Sequence, residues 1–248
     1  MSAPRVVREA AALVIGDELL SGKIRDENIY ELARLLRSLG VVLRRVVMVG
    51  DDLETISDEL RALSARYDLV FTSGGVGPTH DDITVDAVAR AFDVAAAVHP
   101  ELEALLRAAY GARYHAGFER MALAPVGAEL FRTEEVPWPT IIMQNVWVLP
   151  GVPEVFRMKL RQVASRVEGA RQFVTRAVLT RMDEGDLKPL LDEVVARFPE
   201  VQVGSYPRWR SEEYKTKITF DAATEAALEE AVAAFLQLLP EGEPQGVV

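Results

Sequence analysis

The run Thr72-Ser73-Gly74-Gly75-Val76-Gly77-Pro78-Thr79-His80-Asp81-Asp82-Ile83-Thr84 carries the strongest chemical signal in the 248-residue chain. Glycines at 74, 75 and 77 let the backbone turn sharply and come close to a ligand. Their N–H groups, together with those of a helix starting near Thr84, suit an anion such as a phosphate. Ser73, Gly74, Gly75, Val76, Gly77 and Thr79 are therefore candidate ligand-binding residues. The spacing and the missing Lys exclude a Walker A loop and a dinucleotide fingerprint. The competing reading is a plain tight turn with Asp82 capping the next helix.

Acidic residues recur after other strand-like segments: Asp17 and Glu18 after the first, Asp51 and Asp52 after the second. In a parallel sheet these positions share the edge that carries the glycine loop. Together with Asp82, the carboxylates of Asp17 and Asp51 are a candidate oxygen ligand set for a divalent cation (Mg, Mn or Co), which could bridge to a phosphate. Taken singly, Asp26 and Asp51 also read as helix caps, Asp51 with Glu54 as a capping box. Pro150-Gly151-Val152-Pro153 reads as a rigid strand-to-helix turn with Pro153 at the first helical position. On the shared edge, Pro150, Gly151 and Asp17 would line the pocket. His80 is either a ligand contact or a solvated loop residue, whereas His99 and His115 have no metal-site spacing and read as structural. Ser73 lacks the surroundings of a catalytic nucleophile, because Gly-x-Ser-x-Gly is missing. Gly204-Ser205-Tyr206-Pro207-Arg208-Trp209-Arg210 could stack on a base or flavin ring, or be a hairpin tip.

The elements that must position these groups alternate strand and helix. Ala11–Ile15 is a short apolar strand; Ile29, Leu32, Ala33, Leu36 and Leu39 recur at helical spacing before Gly40. Val41–Val49 and Leu69–Thr72 read as further strands, with a helix burying Leu53, Ile56, Leu60 and Leu63 between them. Val85, Val88, Ala89 and Phe92 mark the helix after the glycine loop. Pro100–Tyr110 and Phe118–Leu123 read as helical, Ala128–Arg132 and Asn145–Leu149 as strands with a hairpin near Pro139–Met143, and a helix runs to about Val167. The order predicts an α/β fold, a three-layer α/β/α arrangement with a mostly parallel sheet. A boundary at Gly169–Arg171 separates residues 1–168 from a small C-terminal α+β domain, 169–248, of β-α-β-β-α order, ending in a frayed tail from Glu241.

Composition narrows the functions. Nearly half of the residues are apolar and about a quarter charged, as in a soluble globular protein. There are no cysteines, which excludes disulfides and thiolate metal sites. Met1–Ala12 does not read as a signal peptide and no 18-residue apolar stretch could span a bilayer, so a cytoplasmic location is expected. The formal net charge of −10 argues against nucleic-acid binding but not against a small phosphorylated ligand held by backbone N–H groups or a metal ion. The small domain resembles KH-type RNA modules in topology but has no GxxG clamp.

Three sets of residues together resemble the molybdopterin-binding (MoaB/Mog-like) domain family: Gly16-Asp17-Glu18-Leu19-Leu20 with Gly22, Asp26 and Asn28; Gly74 to Thr84; and Pro150-Gly151-Val152-Pro153. Within it the chain is similar to the N-terminal region of CinA (competence/damage-inducible) proteins and to the molybdopterin-binding-like domain of FAD synthases. The Gly204–Pro207 turn and the Tyr214–Phe220 strand favour the second branch. The resemblance implies a pterin or nucleotide diphosphate bound at the glycine loop, and self-association into a homo-oligomer. It also implies that Asp51 and Asp82 are catalytic and act with a divalent metal. In these branches it implies metal-dependent hydrolysis of a nucleotide pyrophosphate, ADP-ribose or FAD. The alternatives are molybdopterin binding or adenylylation in molybdenum-cofactor biosynthesis, and a non-catalytic nucleotide-binding module. The chain lacks the amidohydrolase domain of many CinA proteins and the adenylyltransferase domain of FAD synthases, so deamidation and FAD synthesis are not implied.

Overall fold

The computed structural model describes residues 7–170, 173–209 and 213–248. The chain divides into two compact units between Ala170 and Arg171. Arg171, part of the expected boundary, lies outside the described residues.

The first unit runs β1 (Glu9–Ile15), α1 (Asp17–Leu20), α2 (Asn28–Ser38), β2 (Val42–Val49), α3 (Leu53–Arg66), β3 (Leu69–Ser73) and α4 (Thr84–Ala91). It continues with β4 (Ala96–Val98), α5 (Pro100–Tyr110), two 3-10 turns (Gly111–Arg113 and Ala116–Ala122), β5 (Leu123–Pro125), β6 (Glu129–Phe131), β7 (Thr140–Met143), β8 (Val146–Val148) and α6 (Pro153–Arg166). The main sheet has the order β2-β1-β3-β8-β7-β6. Its β2, β1, β3 and β8 are parallel, and β7 runs against both β8 and β6.

The central strand explains the layering. β1 is apolar along nearly its whole length, as a strand covered on both faces must be. Ala11, Leu13 and Ile15 share one core with Ile56 and Leu60 of α3 and Val85 and Val88 of α4. Ala10 and Ala12, on the opposite face, pack with Leu32 and Leu36 of α2 and Phe156 and Val163 of α6. The three-layer α/β/α architecture with a mostly parallel sheet thus forms as expected. The antiparallel β4–β5 pair was not foreseen, because three-residue strands show no usable alternation. With α5 and the second 3-10 turn it closes a small separate core of Leu102, Leu106, Ala122 and Ala124.

The second unit contains β9 (Val174–Thr180), α7 (Glu184–Arg197), β10 (Gln202–Pro207), β11 (Thr216–Ala222), α8 (Glu225–Leu238) and β12 (Gly246–Val247). Its antiparallel sheet, ordered β10-β11-β9-β12, packs on α7 and α8 through Leu187, Val194, Ile218, Phe220, Leu228 and Phe235. Gly204–Pro207 lies within β10 and not in a turn; Trp209 beyond it is 90% exposed, and Arg210 is outside the described residues. The tail from Glu241 is also corrected. Instead of fraying, it lays β12 along the open edge of β9, where Gln245 N donates to Leu179 O and Ala177 and Val248 exchange backbone hydrogen bonds. An uncovered edge strand presents unpaired N–H and C=O groups, and the tail satisfies them. No helix among the described residues is long and apolar enough to cross a membrane.

Removing residues 244–248 should therefore destabilise the second unit by about 1–3 kcal/mol, the worth of a few backbone hydrogen bonds. Urea denaturation followed by circular dichroism measures this; an unchanged midpoint would show that the edge pairing contributes nothing.

Candidate functional site

The glycine loop follows β3 and is held by tight backbone contacts. Gly74 has φ +107° and Gly75 φ +64°, conformations that L side chains rarely adopt. A Cβ on Gly74 would sit 2.2 Å from Ile15 O, and one on Gly75 2.3 Å from Thr84 Oγ1. Gly74 N donates to Leu149 O at 3.3 Å, Thr84 N donates to Gly75 O at 3.0 Å, and Thr84 Oγ1 donates to Gly74 O at 2.8 Å. Among the described residues, no hydrogen bond occupies the N–H groups of Gly75, Val76 or Gly77. Successive free N–H groups of this kind form an anion-binding concavity.

The Pro150-Gly151 segment abuts this loop, as the sequence suggested: a Cβ on Gly151 would lie 3.2 Å from Gly74 Cα. The buried Asn28, at the start of α2, ties the two together, with Nδ2 donating to Ser73 Oγ at 2.9 Å and to Gly151 O at 2.8 Å. A cleft of about 640 Å³ opens between them. Ser73, Gly74, Gly75, Val76, Gly77, Asp82, Pro150 and Gly151 line it. Asp17, Asp51 and Thr79 do not; Asp17 and Asp51 lie at the neighbouring strand ends, next to the lining residue Glu18.

The structure separates the acidic residues by role. Asp17 N donates to Asp51 Oδ2 at 3.0 Å and Asp51 N to Asp17 Oδ1 at 3.4 Å, so the two strand ends hold each other's carboxylates. The helix cap expected of Asp51 falls instead to Asp52, whose Oδ1 accepts from Thr55 N at 2.8 Å. That one-residue shift leaves Asp51 free to face Asp17. Asp26 does cap α2, accepting from Ile29 N at 3.1 Å. Asp82 neither caps α4 nor joins the other two. Its Oδ2 accepts from Thr79 N at 2.8 Å and Thr79 Oγ1 at 2.5 Å, which pins the far end of the glycine loop. Among the described residues, no three His or acidic side chains gather closely enough to hold a metal ion. Of the expected trio, Asp17 and Asp51 thus bond to each other, while Asp82 bonds to Thr79. His80 is 98% exposed, as the solvated reading required. His99 and His115 accept backbone hydrogen bonds from Glu101 and Gly117 and are structural.

Partial burial raises the pKa of Asp51 above its ordinary value, and the carboxylates of Asp17, Glu18 and Asp81 push it further; the Asp17 N–H bond opposes them. The pair and its neighbours therefore concentrate negative charge at the ends of β1 and β2. A divalent cation of the Mg²⁺ type is commonly held by one or two carboxylates plus substrate phosphates, and the donor set here fits that pattern.

Sequence reasoning missed several cleft residues. Arg120, in the second 3-10 turn, donates through Nε to Asp82 O at 2.7 Å and through Nη2 to Asp86 Oδ2 at 2.5 Å, clamping the loop from the other side. Trp138, Pro139, Ile141 and Leu123 supply an apolar wall, and Lys159 of α6 also lines the cleft. Only Lys159 left a readable signal, since it falls on the buried stripe of Phe156, Leu160 and Val163.

A model of the family described as "Probable molybdopterin binding domain" matches residues 11–168. The chain belongs to that family. Residues 172–246 match the model described as "FAD synthase, middle domain". A "Probable FAD synthase" of Caenorhabditis briggsae is 32% identical over 94% of this chain and 50% of its own length. The chain spans about half the length of the nematode relatives it matches. A protein of Pyrococcus abyssi is 34% identical over 81% of this chain and 85% of its own. Among solved structures, a CinA protein of unknown function from Thermoplasma acidophilum aligns with a TM-score of 0.59 and 27% identity, over 64% of this chain and 97% of its own. The molybdopterin-binding domain with a FAD-synthase-type second domain, and the likeness to CinA, agree with the resemblance drawn from the motifs.

Two variants test the geometry. Gly74→Ala should cost about 2–4 kcal/mol, because a methyl group would collide with Ile15 O in a left-handed backbone; a smaller loss in urea denaturation would mean that the loop can relax. Asp51→Asn keeps an acceptor for Asp17 N. The folded-state pKa of Asp51 is raised, so its contribution is favourable below the unfolded pKa and is lost as pH rises through the folded one. The variant should therefore be more stable than wild type at pH 7, with the difference vanishing near pH 3. A variant less stable at pH 7 would contradict the crowded-carboxylate account.

Proposed function

We propose that this protein is an enzyme that hydrolyses a nucleotide pyrophosphate, FAD or ADP-ribose, with a divalent metal. The observation that carries the reading is that the mutually bonded pair Asp17 and Asp51 sits at strand ends neighbouring the glycine loop, whose Gly75, Val76 and Gly77 N–H groups carry no hydrogen bond among the described residues. The N–H groups suit a diphosphate and the pair a cation that would bind it. The nematode relatives named probable FAD synthases, and the match of the second unit to a domain of that enzyme, support a flavin dinucleotide as substrate.

In this reading the N–H groups of Gly75, Val76 and Gly77 hold the diphosphate, and Asp82, Thr79 and Arg120 keep those groups aimed. Asp17 and Asp51 would hold the metal, with phosphate oxygens and water completing its shell. When bound, a Mg²⁺, Mn²⁺ or Co²⁺ ion polarises phosphorus and lowers the pKa of a water. Hydrolysis forms a bond from a water oxygen to one phosphorus and breaks the bridging P–O bond. It leaves AMP and a second monophosphate: FMN from FAD, ribose 5-phosphate from ADP-ribose. The family match of the first unit favours a second reading, a pterin bound or adenylylated in the same cleft.

The test incubates the full chain with FAD, ADP-ribose and NAD in the presence of Mg²⁺, Mn²⁺ or Co²⁺ and measures released AMP. Asp17→Asn and Asp51→Asn should each lower the rate by at least about a hundredfold. Undiminished hydrolysis by Asp51→Asn would overturn the assignment. Binding of molybdopterin with no hydrolysis of any dinucleotide would select the second reading.

A further inference from the structure

Lys159 is an ionisable residue of the cleft that this chemistry does not use. It is 4% exposed and lines the cleft, six residues along α6 from Pro153 and so about 9 Å further down the helix axis. Its Nζ donates to Trp138 O at 2.5 Å, a carbonyl that Gln162 Nε2 also reaches at 3.1 Å. An ammonium has three N–H donors, and no acidic partner approaches this one among the described residues. The other charged groups lining the cleft are Glu18, Arg25, Asp26 and Glu27 before α2, Asp82 and Asp86 beyond the glycine loop, and Arg120. Arg120 is occupied by Asp86, and Arg25 is exposed to solvent. Burial alone pushes the Lys159 ammonium down to about 7. A leucine or methionine would fit the stripe of Phe156, Leu160 and Val163 without burying an amine. A lysine there is explained by an acceptor that arrives with the ligand.

We propose that Lys159 selects the ring of the ligand: its Nζ donates to a carbonyl oxygen on the edge of a flat heterocycle laid against Trp138, Pro139 and Ile141. The acceptors beside it already take hydrogen bonds, Trp138 O from Lys159 and Gln162, and Gln162 Oε1 from Thr140. A ring edge bearing carbonyls, as in a flavin, meets a donor there. This inference rests on the diphosphate reading above and names the half of the ligand that the apolar end receives.

The experiment is calorimetric titration of the full chain with FAD, FMN, ADP-ribose and inorganic diphosphate in EDTA, without divalent metal, at pH 8 and 5.5. Each titration is run in two buffers of different ionisation heat. Near pH 8 the free amine is mostly neutral, so a carbonyl acceptor that favours the ammonium draws in a proton. FAD and FMN should take up more than about half a proton at pH 8 and little at pH 5.5. Lys159→Met should abolish that uptake and weaken FMN binding by about tenfold or more, while ADP-ribose and diphosphate affinities stay within about twofold. Lys159→Gln, a neutral donor, should retain more affinity for FMN than Lys159→Met but take up no proton. The inference is overturned if wild type takes up no proton with flavins, or if Lys159→Met weakens ADP-ribose and FAD equally, as a phosphate contact would. If no probe binds in EDTA, and neither FMN nor inorganic diphosphate binds when Mg²⁺ is added, the diphosphate reading fails along with it; if ADP-ribose and diphosphate bind but Lys159→Met leaves flavin binding unchanged, only this inference fails.

Discussion

The site depends on the absence of a side chain at Gly74. Ile15 O lies where its Cβ would be, and Gly151 packs close to its Cα. The N–H of Gly74 bonds to Leu149 O, and its carbonyl accepts from the Thr84 hydroxyl. The end of β1, the end of β3, the approach to α6 and the start of α4 are therefore locked together at one residue. Asn28 adds the first turn of α2 to the same junction through Ser73 and Gly151. The loop that follows cannot reorient without breaking these contacts. Its free N–H groups are thus presented in a fixed array before any ligand arrives, which is what makes hydrogen-bond donors effective towards an anion.

An acidic chain binding an anion looks contradictory, and the local arrangement removes the conflict. The net charge of −10 is a property of the whole surface. The loop offers only dipoles, and the nearest fully charged groups are carboxylates. Asp17 and Asp51 hold each other through backbone N–H bonds with no salt-bridged arginine or lysine among the described residues, and partial burial with the neighbouring carboxylates raises the pKa of Asp51. Such an arrangement is unfavourable by itself and favourable with a cation present. A cation would also neutralise the diphosphate proposed for the loop. The metal and the phosphates would then bind as one unit, each supplying what the other lacks.

Much of this was legible in the sequence, and the failures have specific physical causes. The strand and helix order followed from near-continuous apolar strands and 3.6-residue helical stripes, and the glycine loop from residues that only a left-handed backbone demands. The choice of Asp51 over Asp52 as cap failed because adjacent carboxylates are indistinguishable until the turn geometry decides which one meets Thr55 N. Sequence gives adjacency along the chain and not direction, so it did not announce that the Asp82 side chain turns back to Thr79. The tail looked frayed because two residues carry no strand pattern, and only the open edge of β9 gives them a partner. Arg120 and Trp138 come from a segment with no periodicity, so nothing local announced that it folds over the cleft.

The two ends of the cleft are therefore encoded differently. The phosphate end is built from strand ends whose glycines and carboxylates are close in sequence and recur as motifs, which is why it was readable and why family likeness bears on it. The ring end is assembled from α6, the 3-10 turn and the segment around Trp138, residues far apart in the chain and held by individual contacts such as Lys159 to Trp138 O. A rigid scaffold with specificity carried by irregular segments is a common division in α/β folds. Under the proposed reading, membership of the family constrains what happens to the phosphates more than it constrains which ring accompanies them. The identity of that ring has to be sought in the donors and acceptors of the apolar end, where Lys159 is the buried donor left without an acidic partner among the described residues.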